Sequence, residues 1–231
     1  MLIAPAQPGF QYNLEEMLDR SHQLHERVFE ILGDDGFHDA PRSEAAVGMC
    51  FVALEHSDGL RALMALALPT SAVSLMRHQF EALTRAMWLL YAAPESAVVK
   101  LLAPLTLENE QAAKNLPGAS DMIEDLRKRV GNPGEGVPSA AHQMLAHFKE
   151  VTWPAMNSFV HGGLHPLRRT SDGFPLMLAL QIIRNSNGLA TMTGMTLAVL
   201  TGDQLIASAM SRIQRDFADC LPDLLERTPA A

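Results

Sequence analysis

The sequence predicts an all-α fold, a single-domain bundle of about seven helices, on three observations. Apolar residues recur at the 3.6-residue spacing of helices along nearly the whole chain, no Val/Ile/Thr-rich alternation with hairpin turns appears, and the interruptions fall at Pro, Gly and Asn/Asp clusters. With 231 residues, 48% apolar and 19% charged, the chain can bury a substantial core and lacks the composition of a disordered one.

The first helix opens at Asn13, which stands three residues before Glu16 in capping-box spacing. Leu14, Met17, Leu18, Leu24, Val28, Ile31 and Leu32 form its apolar stripe, and Gly33 ends it. An acidic loop, 34–39, follows. A second helix is predicted from about Ser43 to Leu68, stopped by Pro69, and a third from about Thr70 to Ala93, stopped by Pro94. Pro94 suits the first turn of a fourth helix, Glu95 to about Asn115, which Pro104 should kink or divide. Asp121 to Val130 reads as a short charged helix, and the Gly- and Pro-rich stretch 131–138 as a loop. Ser139 opens a helix interrupted near Pro154 and ended by Gly162-Gly163. A loop with His165-Pro166, Arg168-Arg169 and Asp172-Gly173 leads to a very apolar helical region, Phe174 to about Thr201. That region is either the central helix of the bundle or a buried homodimer seam. Asp203 caps a last amphipathic helix, to about Cys220. The chain is thus read as one domain, 1–231, with acidic N-terminal helices at 13–60, a core with the candidate site at 61–201 and a C-terminal helix at 203–220.

Charge and cysteine content exclude several functions. A net charge of −8 argues against a surface that is basic all over, as a general nucleic-acid binder needs. The acidity is local, however: residues 1–60 hold eleven acidic and three basic side chains, so the remainder is neutral. Within that remainder, 61–93 sets Arg61, Arg77 and Arg85 against Glu81, and 154–200 sets Arg168, Arg169 and Arg184 against Asp172. Both stretches are locally basic and suit a pocket for an anion. Cys50 and Cys220 lie far apart in apolar helical patterns, which is neither a disulfide framework nor a zinc spacing. The first ten residues lack the basic start of a secretory signal, and no run is long and apolar enough for a bilayer, so a bacterial cytoplasmic location without membrane contact is expected. Phosphate-binding P-loops, dinucleotide fingerprints and nucleophile elbows are all missing; no cofactor and no metal site is expected.

Two segments carry candidate chemistry. In the third helix Arg77, Glu81 and Arg85 recur every four residues, sharing a face with Trp88 on a helix otherwise apolar nearly all round. Such a row is either paired in the interior as a structural network or lines a cleft. Further on, Asn157 and Ser158 stand four and three residues before His161, so one helical turn brings both beside the imidazole. Gly162 and Gly163 then leave room for a substrate backbone or phosphate to approach; they equally make a tight helix-ending turn.

The pairing of Leu75-Met76-Arg77-His78-Gln79-Phe80-Glu81-Ala82-Leu83 with Asn157-Ser158-Phe159-Val160-His161-Gly162-Gly163 resembles a family of uncharacterised bacterial all-α proteins. More distantly it resembles the higher eukaryote and prokaryote nucleotide-binding (HEPN) superfamily, which includes ribonucleases of toxin–antitoxin and phage-defence systems. The resemblance implies an antiparallel bundle, a homodimer, an antitoxin or defence-system partner, and metal-independent RNA cleavage. With no arginine four to six residues before His161, Arg77 would supply the cation from another helix. The mechanism to test has His161 as acid/base on a ribose 2′-hydroxyl or leaving oxygen, Arg77 stabilising the phosphorane, Glu81 orienting Arg77, and Asn157 or Ser158 orienting the imidazole or substrate. Arg85, Gly162, Gly163 and Arg168 would contact the ligand. The alternative is a non-catalytic helical module that dimerises or holds a small anionic ligand.

Overall fold

A computed structural model describes residues 13–34, 36–131 and 136–223. In chain order the helices are α1 (Leu14–Leu32), α2 (Pro41–Ala65), α3 (Pro69–Tyr91), α4 (Glu95–Leu102), α5 (Leu107–Ala113), α6 (Ala119–Arg129), α7 (Ser139–Val160), α8 (Leu164–Asp172), α9 (Leu176–Thr201) and α10 (Gln204–Asp216). A 3-10 turn, Ala218–Cys220, follows. Among the described residues there is no strand, only one isolated bridge between Val130 and Val137. None of the described helices is long and apolar enough to cross a membrane. The expectations for residues 1–10, and for 132–135 of the 131–138 loop, lie outside the described residues.

The all-α prediction holds, but there are ten α-helices rather than about seven. Pro104 divides the predicted fourth helix into α4 and α5, and the predicted loop after Gly163 contains α8. Pro166 is the third residue of α8, where its missing N–H would have had no intrahelical partner in any case. The predicted interruption at Pro154 does not occur, since α7 runs through it. Pro154 and Glu150 lie on the exposed face, so the carbonyl that loses its hydrogen bond faces water. At the start of the bundle the Asn13–Glu16 capping box forms in both directions, at 2.9 and 3.0 Å.

Buried apolar side chains from α1 through the final 3-10 turn form one continuous core. Its centre is built by α3, which packs on α2, α6, α7 and α9, and by α9, which packs on α1, α2, α3 and α10. Trp88, Phe80, Leu83 and Leu89 of α3 are at most 1% exposed, each stabilising the fold by about 1.5–3 kcal/mol through burial. Enclosed on four sides, α9 is the central helix of the bundle, which accounts for its apolar character without a dimer seam. Gly194 lets Val28 and Met210 close on it, since a Cβ there would lie 3.0–3.1 Å from them.

Polar groups buried with α9 are satisfied locally. Thr191, Thr193 and Thr196 donate to carbonyls four residues back, at 2.8–2.9 Å. Ser186 donates to Gln79 Oε1 at 2.7 Å while Gln79 Nε2 donates to the Ser186 carbonyl at 2.9 Å. Asn187 Nδ2 donates to Ser21 Oγ and to the Cys220 carbonyl, both at 2.8 Å, tying α1 and the C-terminal turn to the centre.

Candidate functional site

The two candidate segments meet where α3 packs antiparallel against α7. Arg77 donates from Nε and Nη2 to Glu81 Oε1 at 2.9 and 2.8 Å, and from Nη1 to Asn157 Oδ1. Its guanidinium lies over the Trp153 ring, 3.6 Å from the centroid, and Trp153 packs edge-on to Phe80. Arg77 is therefore held on three sides, with 13% of its side chain exposed against 37% for Glu81. Lys149 Nζ sits 5.3 Å from the same Trp153 ring. Lys149, Trp153, Asn157 and His161 recur every four residues on α7, so an i,i+4 row of α7 meets an i,i+4 row of α3.

The rest of the α3 row departs from expectation. Glu81 pairs with Arg77 and not with Arg85, whose buried Nε has no hydrogen-bond partner. Trp88 does not share the site: it is buried, and its Nε1 donates to Asp125 of α6 at 3.3 Å. One turn beyond Asn157, His161 is the C-terminal cap of α7; its backbone N–H donates to the Asn157 carbonyl at 3.0 Å. The side chain is exposed and has no hydrogen-bond partner among the described residues. Neither Asn157 nor Ser158 hydrogen-bonds the imidazole: Asn157 accepts from Arg77, and Ser158 Oγ accepts from the backbone N–H of His165 at 3.0 Å.

Gly162 and Gly163 build the α7–α8 turn. Gly162 adopts φ +65°, a conformation strained for side-chain-bearing residues, and Gly163 sits so close to Ser158 that a Cβ would lie 2.6 Å from its Oγ. The close approach for which these glycines make room is thus one helix end against another. Beyond the turn, buried Nδ1 of His165 and Nε of Arg169 have no partner. Arg168 is on the outer side of α8, where it lines an open groove of about 420 Å³ with Leu164, Leu167, Thr170 and Ser171. Arg77 and His161 do not line that groove. Among the described residues no group of three or more His, Cys, Asp or Glu is arranged to hold a metal ion.

Trp153 is the residue of this cluster that the reading of the sequence missed. Its signal was present, since it stands one turn before Asn157 on the same helical face.

Residues 50–223 match the model of a family of unknown function, DUF6988. The chain belongs to DUF6988. Both segments of the candidate site, 75–83 and 157–163, lie inside the matched region. No curated protein and no solved structure matches the chain.

Proposed function

We propose that this DUF6988 chain is a HEPN-like, metal-independent ribonuclease, a toxin or phage-defence effector acting on RNA, with His161 as its acid/base. The observation that supports this most is the Arg77–Asn157 hydrogen bond, which draws together two segments eighty residues apart and leaves an unpartnered imidazole one turn away. In the reaction His161 takes the proton of a ribose 2′-hydroxyl as its oxygen attacks phosphorus, and the bond from phosphorus to the 5′-oxygen breaks. The leaving oxygen is protonated, and the product ends in a 2′,3′-cyclic phosphate. Two N–H groups of Arg77 remain for the phosphorane. An effector of this kind would be held in check by a dedicated partner protein.

The test is incubation of purified protein with end-labelled single-stranded RNA in the presence of a chelator. Cleavage with cyclic-phosphate ends is expected, and His161→Ala should lower it by at least ~100-fold without shifting the melting temperature. Absence of cleavage by the wild type, or full activity in His161→Ala, sinks the proposal.

A second reading, the non-catalytic module, is favoured by the packing of Arg77 itself. A guanidinium bonded on two edges and covered by an indole acts first as a clamp between α3 and α7. On this reading Arg77→Ala destabilises the bundle and His161→Ala has no effect in any assay.

A further inference from the structure

The α2–α3 seam brings two imidazoles together outside the site described above. His56 of α2 and His78 of α3 have ring centroids 5.6 Å apart, inclined at 47°. The approach follows from the register of the two helices: one turn along, Gly59 lies so close to Leu75 that a Cβ on it would be 2.8 Å from the leucine methyl. The absence of a side chain at residue 59 lets the helices close, and histidines three residues back on α2 and three residues on along α3 meet.

His78 is prepared as a ligand. Its Nδ1 lies 2.9 Å from the carbonyl oxygen of Ser74. A carbonyl accepts only from an N–H, so in the neutral ring Nδ1 carries the proton and Nε2 holds the lone pair. This is the arrangement by which ligating histidines are fixed in tautomer and orientation, a backbone carbonyl holding the far nitrogen. His78 is exposed and His56 half-buried, so an ion reaches both from solvent. Glu55, next to His56 in the chain, adds negative charge nearby. Two imidazoles sharing one ion at a metal–nitrogen distance of about 2.1 Å have centroids roughly 5–5.5 Å apart. The observed separation of 5.6 Å lies just above that range.

We infer that His56 and His78 form a two-histidine site for a borderline divalent transition-metal ion, Zn²⁺ or Cu²⁺, across the α2–α3 seam, with water completing its coordination. Imidazole nitrogens suit these ions over Mg²⁺ or Ca²⁺, which take oxygen ligands. With two protein ligands the ion exchanges readily and staples α2 to α3 when bound. The site does not depend on RNA cleavage.

The experiment uses the full chain without a polyhistidine tag, titrated calorimetrically with ZnCl₂, and electron paramagnetic resonance of the protein with one equivalent of CuSO₄. One Zn²⁺ per chain is expected, bound at least tenfold more weakly by His56→Gln and by His78→Gln. His22→Gln, which removes the histidine paired with Glu26 on α1, should bind as the wild type does. The Cu²⁺ spectrum of the wild type should show coupling to two imidazole nitrogens. The inference is overturned if the wild type takes up no ion, if either seam variant binds like the wild type, or if the Cu²⁺ spectrum shows a single nitrogen.

Discussion

Replacing Arg77 by alanine should cost about 4 kcal/mol of stability, a figure built from what the side chain touches. The two methylenes beyond Cβ that alanine lacks, largely buried, contribute about 1.5 kcal/mol. The charge-assisted hydrogen bond to Asn157 contributes about 1.5 kcal/mol, and stacking on Trp153 about 1 kcal/mol. The pair with Glu81, one partner of which is more than a third exposed, contributes no more than about 0.5 kcal/mol. For a chain of this size the loss corresponds to a fall in Tm of about 8–16 °C. The decisive assay is a double-mutant cycle of Arg77→Ala and Asn157→Ala, followed by urea unfolding, with Trp153 fluorescence reporting the loss of the guanidinium from its face. A coupling of about 1–1.5 kcal/mol is expected between the two positions. A coupling below about 0.3 kcal/mol would show that the contact between α3 and α7 is incidental, and the clamp would have to be abandoned.

The adjacent glycines should respond differently to alanine. Gly163→Ala drives a Cβ into Ser158 and should cost about 2–3 kcal/mol, whereas Gly162→Ala, with open space around it, should cost only the ~1 kcal/mol of its positive φ; equal losses would refute the close-contact argument. Stability should fall as pH drops from 7.5 to 5.5, read by urea melts. Burial holds His25, His56 and His142 below their ordinary pKa, so the unfolded chain takes up protons below about pH 6.5 that the folded chain does not, and a rise in stability over that range would contradict the assignment. Burial pushes the Cys220 thiol up to about 12 and raises that of Cys50 still further, so neither should react with a thiol reagent until the protein unfolds; rapid labelling of the native chain would show that one of them opens to solvent.

The helices were legible in the sequence where the local signal and the tertiary outcome agree. Asn13 with Glu16 and the division at Pro104 each follow from a single backbone requirement, and the structure honours both, whereas Pro69 opens α3 and α2 already ends at Ala65, before Ala67 with its positive φ. Pro166 and Pro154 misled because a proline's cost depends on its surroundings. The first occupies a helix start that needs no N–H, and the second sits where water reaches the carbonyl it strands. At the site, the i,i+4 spacing identified Arg77 with Glu81 correctly, since both partners belong to one helix. The Arg77–Asn157 bond was not legible, because nothing in either segment fixes how two helices eighty residues apart pack. Ser158 illustrates the same limit: its spacing to His161 was right, yet its hydroxyl is taken by the backbone of the next helix.

The hydroxyls and amides buried along α9 make that helix a ruler for the whole bundle. Apolar packing already opposes a slide of one turn at Gly194, where Val28 and Met210 close on the helix, and the buried polar groups add to it. Such a slide would strand Gln79, Ser186 and Asn187 in a dry interior, at about 1–3 kcal/mol for each unpaired group. Only one axial setting satisfies all of them, so α1 and α3 are both indexed to the same mark. The axial position of α3, one half of the Arg77 contact with α7, is thus set by polar atoms on a helix that does not take part in that contact.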